Sequence, residues 1–290
     1  MATPFRWRLL WGALAGLALV PAGVAVAAPQ DPKPDPKAAD PAKPDPKKEA
    51  ELRKAEDKER AAKIRELCIQ YGRTRPDQLA TVLEEIGKIP HLVAVGFLKG
   101  QATGYGGPTV DLQGQVRQYA TKALWTQRDK KRPEIARAAV AALQAVVEEP
   151  WNRKEEQGDG AVRWALEGLG ELKDPSAVKF LIGTVDHQKT YWAEAAIVAL
   201  EKLRDQTSIE PIIKEWCNAD GEGRKSNAND IQKERRKVLG DAAGRTLAGL
   251  TGQNFEEPLK WQQWWNKNKA TFKMPKPVGG EEEEGSSQGS

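Results

Sequence analysis

Residues 162 to 216 spell one helical hairpin twice, and this internal repeat constrains the fold more than any other feature of the chain. Adding 31 to Val162, Ala165, Leu166, Leu169, Leu172, Asp174, Val178, Leu181, Ile182 and Val185 gives Ala193, Ala196, Ile197, Leu200, Leu203, Asp205, Ile209, Ile212, Ile213 and Trp216. Every apolar position lands on an apolar one. The single polar position is Asp in both copies, between two apolar runs of helical period, so the unit reads as helix, capped turn, helix. A hairpin with two apolar faces cannot bury both alone and has to stack on neighbours, which predicts a solenoid.

The same template extends in both directions. Leu79, Leu83, Ile86 and Ile89 match Val162, Leu166, Leu169 and Leu172 at an offset of 83, while Ala243, Leu247 and Leu250 match Ala196, Leu200 and Leu203 at an offset of 47. Helical pairs are predicted at about 76 to 100, 112 to 148, 159 to 187, 189 to 217 and 229 to 268. Unequal offsets require insertions. Turn residues gather at Gly100 to Asp111, Val147 to Gly160 and Asn218 to Asp230, and such insertions emerge on one edge or face of an array.

The segments outside the array have other compositions. Arg6 and Arg8 precede an apolar stretch from Leu9 to Val26, and Ala25-Val26-Ala27 supplies small residues suited to a signal peptidase. Residues 1–27 therefore read as a signal peptide and the protein as exported, periplasmic or secreted; an uncleaved anchor and a buried core helix are the alternatives. Residues 28–48 repeat Asp-Pro-Lys and its variants, a proline-rich linker expected to be disordered and to act as a spacer; a ligand for a proline-reading groove is the other meaning of such composition. Residues 49–75 read as a charged helix whose second half, through Ile64, Leu67, Cys68 and Tyr71, caps the first repeat. The array takes residues 76–273. Residues 274–290, with Glu281 to Glu284 followed by Gly, Ser and Gln, read as a disordered acidic tail.

Thirty per cent of the residues are charged and the formal net charge is +4, falling to +2 once Arg6 and Arg8 are removed. So small a balance predicts no nucleic-acid partner, and no span is expected in the mature chain. An exported chain meets oxidising conditions, so Cys68 and Cys217 are candidates for a disulfide. Both sit on apolar stripes, however, and helices several repeats apart exceed the ~7 Å Cα limit of a bridge, which favours two thiols acting as small hydrophobes.

The sequence LEGLGELKDPSAVKFL, residues 166–181, resembles the consensus hairpin of bacterial HEAT-like repeats, the kind also found in phycobilisome lyases. The ending LTGQNFEEPLKWQQWWNKNK, residues 250–269, is similar to the closing segment of exported bacterial HEAT-repeat proteins. The resemblance implies an all-α, right-handed α-solenoid of about five HEAT-like hairpins with disordered termini. It implies scaffolding, adaptor or lyase-associated roles without choosing among them.

No chemistry-bearing constellation stands out, and no catalytic residue, metal or cofactor is expected. His91 and His187 lie at helix boundaries without a ligand or acid–base partner nearby in sequence, and no Cys-x-x-Cys, His-Glu-x-x-His or Gly-x-Ser-x-Gly occurs. Gly100 to Pro108 lacks the Gly-Lys-Ser/Thr of a phosphate cradle and reads as a connector with Tyr105 as a contact residue. Trp261, Trp264 and Trp265 share one helix face and are expected to pack on Phe255, Leu259 and Leu250, with sugar stacking the other use of such a face. Trp151, in an insertion, with Trp164 and Trp192, near the starts of neighbouring first helices, form a candidate aromatic patch. Two basic clusters, Arg128-Lys130-Lys131-Arg132 and Arg224-Lys225 with Lys233-Arg235-Arg236-Lys237, are candidates for an acidic peptide, an anionic envelope polymer or the chain's own tail; Arg128, Lys131, Arg235 and Arg236 represent them.

The expected function is non-enzymatic binding of an as yet unidentified protein partner, as a scaffold or adaptor in the cell envelope. The alternatives are a protein that binds envelope glycan or peptidoglycan through tryptophans, and an accessory subunit of an enzyme.

Overall fold

Apolar side chains at helical spacing produce helices across the array: a computed structural model of the chain describes residues 46–104, 110–149 and 159–275, and among them are eleven α-helices and no strand. The helices are α1 (Pro46–Arg73), α2 (Leu79–Gly87), α3 (Leu92–Thr103), α4 (Val110–Leu124), α5 (Pro133–Glu148), α6 (Asp159–Glu171), α7 (Val178–Ile182), α8 (Thr190–Leu203), α9 (Ile209–Gly223), α10 (Asp230–Thr251) and α11 (Pro258–Asn268). The chain divides at Pro46, and the account below concerns the unit beginning at Lys47. The expected signal peptide, nearly all of the proline-rich linker, Tyr105, Trp151 and the tail beyond Pro275 lie outside the described residues.

Packing follows the repeat. One row of contacts runs α2 on α4, α4 on α6, α6 on α8 and α8 on α10, while α3 packs on α5 and α9 on α11. Cross-contacts of α3 with α4, α5 with α6, α7 with α8 and α9 with α10 sew the helices together. A single apolar cluster runs through them from Ile64 to Trp265. Such burial is what two-faced helices need, since each face removes apolar area from water at about 25 cal/mol per Å².

The two copies that define the repeat turn in the same way. Lys173 and Arg204, 31 residues apart, both close their helices in the left-handed region, with φ of 51° and 50°. The next residue in each copy is the shared aspartate. Asp174 accepts from the backbone N–H of Ser176 at 2.9 Å and Asp205 from that of Thr207 at 2.8 Å, each starting a single 3-10 turn that leads into α7 or α9. Glu171 and Lys202, again 31 apart, meet across the two copies at 2.5 Å. Between them Gly170 lets α6 approach α8: a Cβ there would lie 2.8 Å from the Cα of Ala199.

The left-handed residues give a first test. A side chain at positive φ costs of order 1 kcal/mol, which glycine avoids at the expense of a more flexible unfolded chain. Lys173 is exposed, so Lys173→Gly should raise stability by about 0.5 kcal/mol, read as a higher urea midpoint. Arg204 differs because its guanidinium donates to the carbonyls of Gly249 and Pro275. Arg204→Gly should therefore gain nothing, and equal gains at both sites would contradict the assignment.

Helix α1 attaches in two ways. Its second half packs on the array: Ile64 is fully buried, Leu67 and Cys68 pack on the core, and Tyr71 sets its ring edge-on to Phe97 and donates to Gln101 at 2.9 Å. The first half has no apolar stripe and attaches through charge instead. Asp57 accepts from His91 Nε2 at 3.1 Å and pairs with Arg132, while Arg60 reaches Asp129 at 3.2 Å. The backbone N–H of Lys131 holds the Asp129 carboxyl below its ordinary range; burial opposes this and Arg60 adds to it.

Two local expectations need correction. The insertion expected from Asn218 is helical as far as Gly223, because Ala219 and Gly223 are buried and Asp220 pairs with Arg224 four residues on. Leu259 does not pack under the tryptophans but is 60% exposed. Cys68 and Cys217 are unpaired and half-buried, and burial pushes both thiols above the ordinary cysteine value.

Candidate functional site

The site begins with two glycines. Gly240 and Gly244 lie one turn apart on α10 and leave a flat strip where the Trp216 indole of α9 rests; added Cβ atoms would fall 3.2 and 3.4 Å from its ring. One turn beyond Trp216, Asp220 emerges from the same face of α9, and Gly223 leaves room for Arg236, whose Cβ would be 2.6 Å from a side chain there. Above this floor opens a cavity of about 940 Å³ between α9, α10 and the segment 252–258 that leads into α11.

Its rim is organised by Asp220. Arg224 Nε donates to one carboxylate oxygen at 2.7 Å and Arg236 Nε to the other at 2.8 Å. Partial burial of Asp220 raises its pKa, yet the hydrogen bonds from Arg236 and Arg224 outweigh burial and hold the carboxyl below its usual value. The aspartate therefore stays ionised and fixes both guanidinium groups. Each arginine is held through Nε, and neither makes a further hydrogen bond or ion pair through its terminal nitrogens among the described residues. Lys233, Lys237 and Arg245 add cations to the lining, against Asp220, Asp241 and Glu256. The arrangement suits capture of carboxylates or phosphates by arginines already held in place. Its lining holds no Ser, Thr, Cys or His, and among the described residues no three metal-ligating side chains converge.

The residues singled out from sequence are distributed differently from the expected patches. Trp192 is 2% exposed, stacked on His187 at 4.5 Å with the Lys189 ammonium 4.6 Å from its ring. Trp164 is half-buried, edge-on to Trp125, whose indole N–H donates to the Trp164 carbonyl at 2.9 Å. With Trp151 outside the described residues, these side chains present no shared aromatic face; the exposed aromatics on α4 and α8 are Tyr119 and Tyr191. The first basic cluster is spread over structural tasks. Arg128 donates to the carbonyl of Glu171 at the end of α6, Arg132 holds Asp57, and Lys131 is exposed with its backbone N–H bound to Asp129.

The second cluster is divided between two cavities. Arg235 is half-buried against Glu215 at 2.6 Å and lines a separate cavity of about 790 Å³, whereas Arg236, the next in sequence, lines the cavity above Trp216. Asp220, Trp216 and the glycine pair were missed. Their signal was a polar residue one turn past the apolar stripe of α9 and a Gly-x-x-x-Gly spacing on the following helix. Both histidines serve as boundary residues. His91 Nδ1 accepts from the N–H of Val93 and so caps α3, whereas His187 Nδ1 accepts from the N–H of Lys189, in the turn before α8. His91 has an acidic neighbour after all, in Asp57, 34 positions away in sequence.

No helix among the described residues is long and apolar enough to cross a membrane. Comparison of the chain with protein-family models, with curated proteins and with solved structures gives no match.

Proposed function

We propose that the chain is a non-enzymatic protein-binding scaffold or adaptor of the cell envelope, exported by way of residues 1–27 and built as a right-handed α-solenoid of about five HEAT-like hairpins. The alternation of helix contacts and the shared turn at Asp174 and Asp205 support the repeat architecture. The resemblance of residues 166–181 and 250–269 to HEAT-like segments supports the class. The partner is a protein that inserts an acidic segment into the cavity above Trp216.

One observation carries this reading: Asp220 fixes two arginines on the rim of a cavity large enough for several side chains. Guanidinium groups fixed in advance lose less freedom on binding, so a carboxylate-bearing segment gains more from them than from mobile lysines. Burial of Trp192 and Trp261 leaves the glycan alternative to Trp164 and Trp264, which are half-buried, and to Trp151.

A photo-cross-linking residue at position 237 tests this in cells. One protein with an acidic segment should be recovered repeatedly, and Arg224→Ala with Arg236→Ala should cut its yield tenfold or more, since each charge-assisted hydrogen bond is worth ~1.5–3 kcal/mol. Lys131→Ala should leave the yield unchanged. Recovery of cell-wall glycan alone would refute the proposal.

A further inference from the structure

We propose that the cavity above Trp216 is occupied in the unbound protein by the chain's own Glu281–Glu284 run, which a partner's acidic segment must displace. This rests on the reading of that cavity as a seat for carboxylates.

Three observations point to this occupant. The first is where the described chain leaves off. Pro275 lies beside Gly252, where an added Cβ would sit 3.7 Å from its ring, and Gly252 is part of the cavity lining. Its carbonyl accepts from Arg204, which ties this point to the end of α8. Second is reach. Five residues separate Pro275 from Glu281, six Cα steps that span about 20 Å when extended, so the glutamates need no rearrangement of the helices to meet the rim. The third is charge. Five cationic side chains line the cavity against three acidic ones, and one of those acids, Asp220, is already engaged with Arg224 and Arg236. Four consecutive carboxylates complement that excess, and residues 276–290 carry no other acid.

Tethering makes a weak contact effective. A link of a few residues holds its segment at an effective concentration of about 1 mM. A tail that binds in isolation with a Kd of about 0.1 mM is then seated roughly ten parts to one, and a competing peptide sees an apparent Kd raised about tenfold. The tail thus sets a threshold that a partner must exceed.

The test uses the full chain, wild type or with E281Q, E282Q, E283Q and E284Q together, and a fluorescent synthetic peptide of residues 276–290. The peptide is expected to bind the four-glutamine variant about tenfold more tightly than wild type. In the four-glutamine background, Arg224→Ala with Arg236→Ala should weaken it at least tenfold. Lys233→Ala with Lys237→Ala, which leaves the Asp220 clamp intact, should weaken it severalfold. Equal affinity for wild type and the four-glutamine protein would overturn tail docking while leaving the cavity a seat for acidic segments. Binding to neither protein, or binding that ignores all four cations, would overturn both. A dimer in sedimentation that dissolves in the four-glutamine variant would place the tail in a neighbouring copy and overturn docking within one chain.

Discussion

Trp261→Ala is expected to cost about 3–5 kcal/mol of folding stability, read as a large fall in the urea or guanidinium midpoint. The indole is fully buried, with its edge against Phe255 at 5.0 Å and Trp264 at 6.0 Å, and its N–H donates to the Phe255 carbonyl at 3.0 Å. Alanine would remove the ring from between Phe255 and Trp264 and leave a cavity among rigid aromatic neighbours. A companion substitution separates packing from polarity. Trp265 is also buried, but its indole N–H has no hydrogen-bond partner among the described residues. Trp265→Phe removes an unsatisfied donor along with some volume, so it should cost distinctly less than Trp261→Phe, which breaks a satisfied bond. Similar losses for the two phenylalanine variants would refute this account, as would a loss under 1 kcal/mol for Trp261→Ala.

The hairpin repeat was legible because every copy answers the same demand. Val162, Leu166 and Leu169 and their counterparts Ala193, Ile197 and Leu200 are all fully buried, so one burial pattern, written twice, reports itself by its spacing. The turn was legible for a local reason, an Asp side chain capping the amide two residues ahead. The cavity was not legible, since its chemistry depends on which of two adjacent arginines faces which neighbour. Consecutive helix positions differ by about 100°, so Arg235 and Arg236 point to different sides of α10. Periodicity in α10 is weak there, with Lys233, Glu234, Arg235, Arg236 and Lys237 in a row, and only the partner acids on α9 distinguish them. Trp192 misled for a similar reason. Its counterpart by the 31-residue offset is Ala161, itself buried, whereas Trp164 corresponds to Ala195. The two tryptophans thus occupy different repeat positions, and Trp192 takes the interior one.

The division of labour between Arg235 and Arg236 has a large thermodynamic consequence. Arg235→Met is expected to destabilise the fold by about 3–5 kcal/mol, because it leaves Glu215 buried without its counter-charge. The two side chains are 13% and 9% exposed, and Arg235 also donates to the carbonyls of His187 at 2.8 Å and Gln188 at 3.2 Å. One guanidinium thus joins α10, α9 and the connection between α7 and α8. Arg235→Lys should not rescue, since a single ammonium cannot reach a carboxylate and two carbonyls in the planar array that a guanidinium spans. Arg235→Met combined with Glu215→Met should recover most of the loss, because apolar replacement of a buried pair removes the stranded charge as well as the attraction. The two single variants, the double variant and wild type form a cycle whose coupling energy isolates the pair. Arg236→Met, by contrast, should leave most of the stability in place and appear in binding, because its partner Asp220 keeps Arg224. Equal stability losses at 235 and 236 would show that the two arginines share one structural role, and the cavity rim would then lose its claim to be a binding surface.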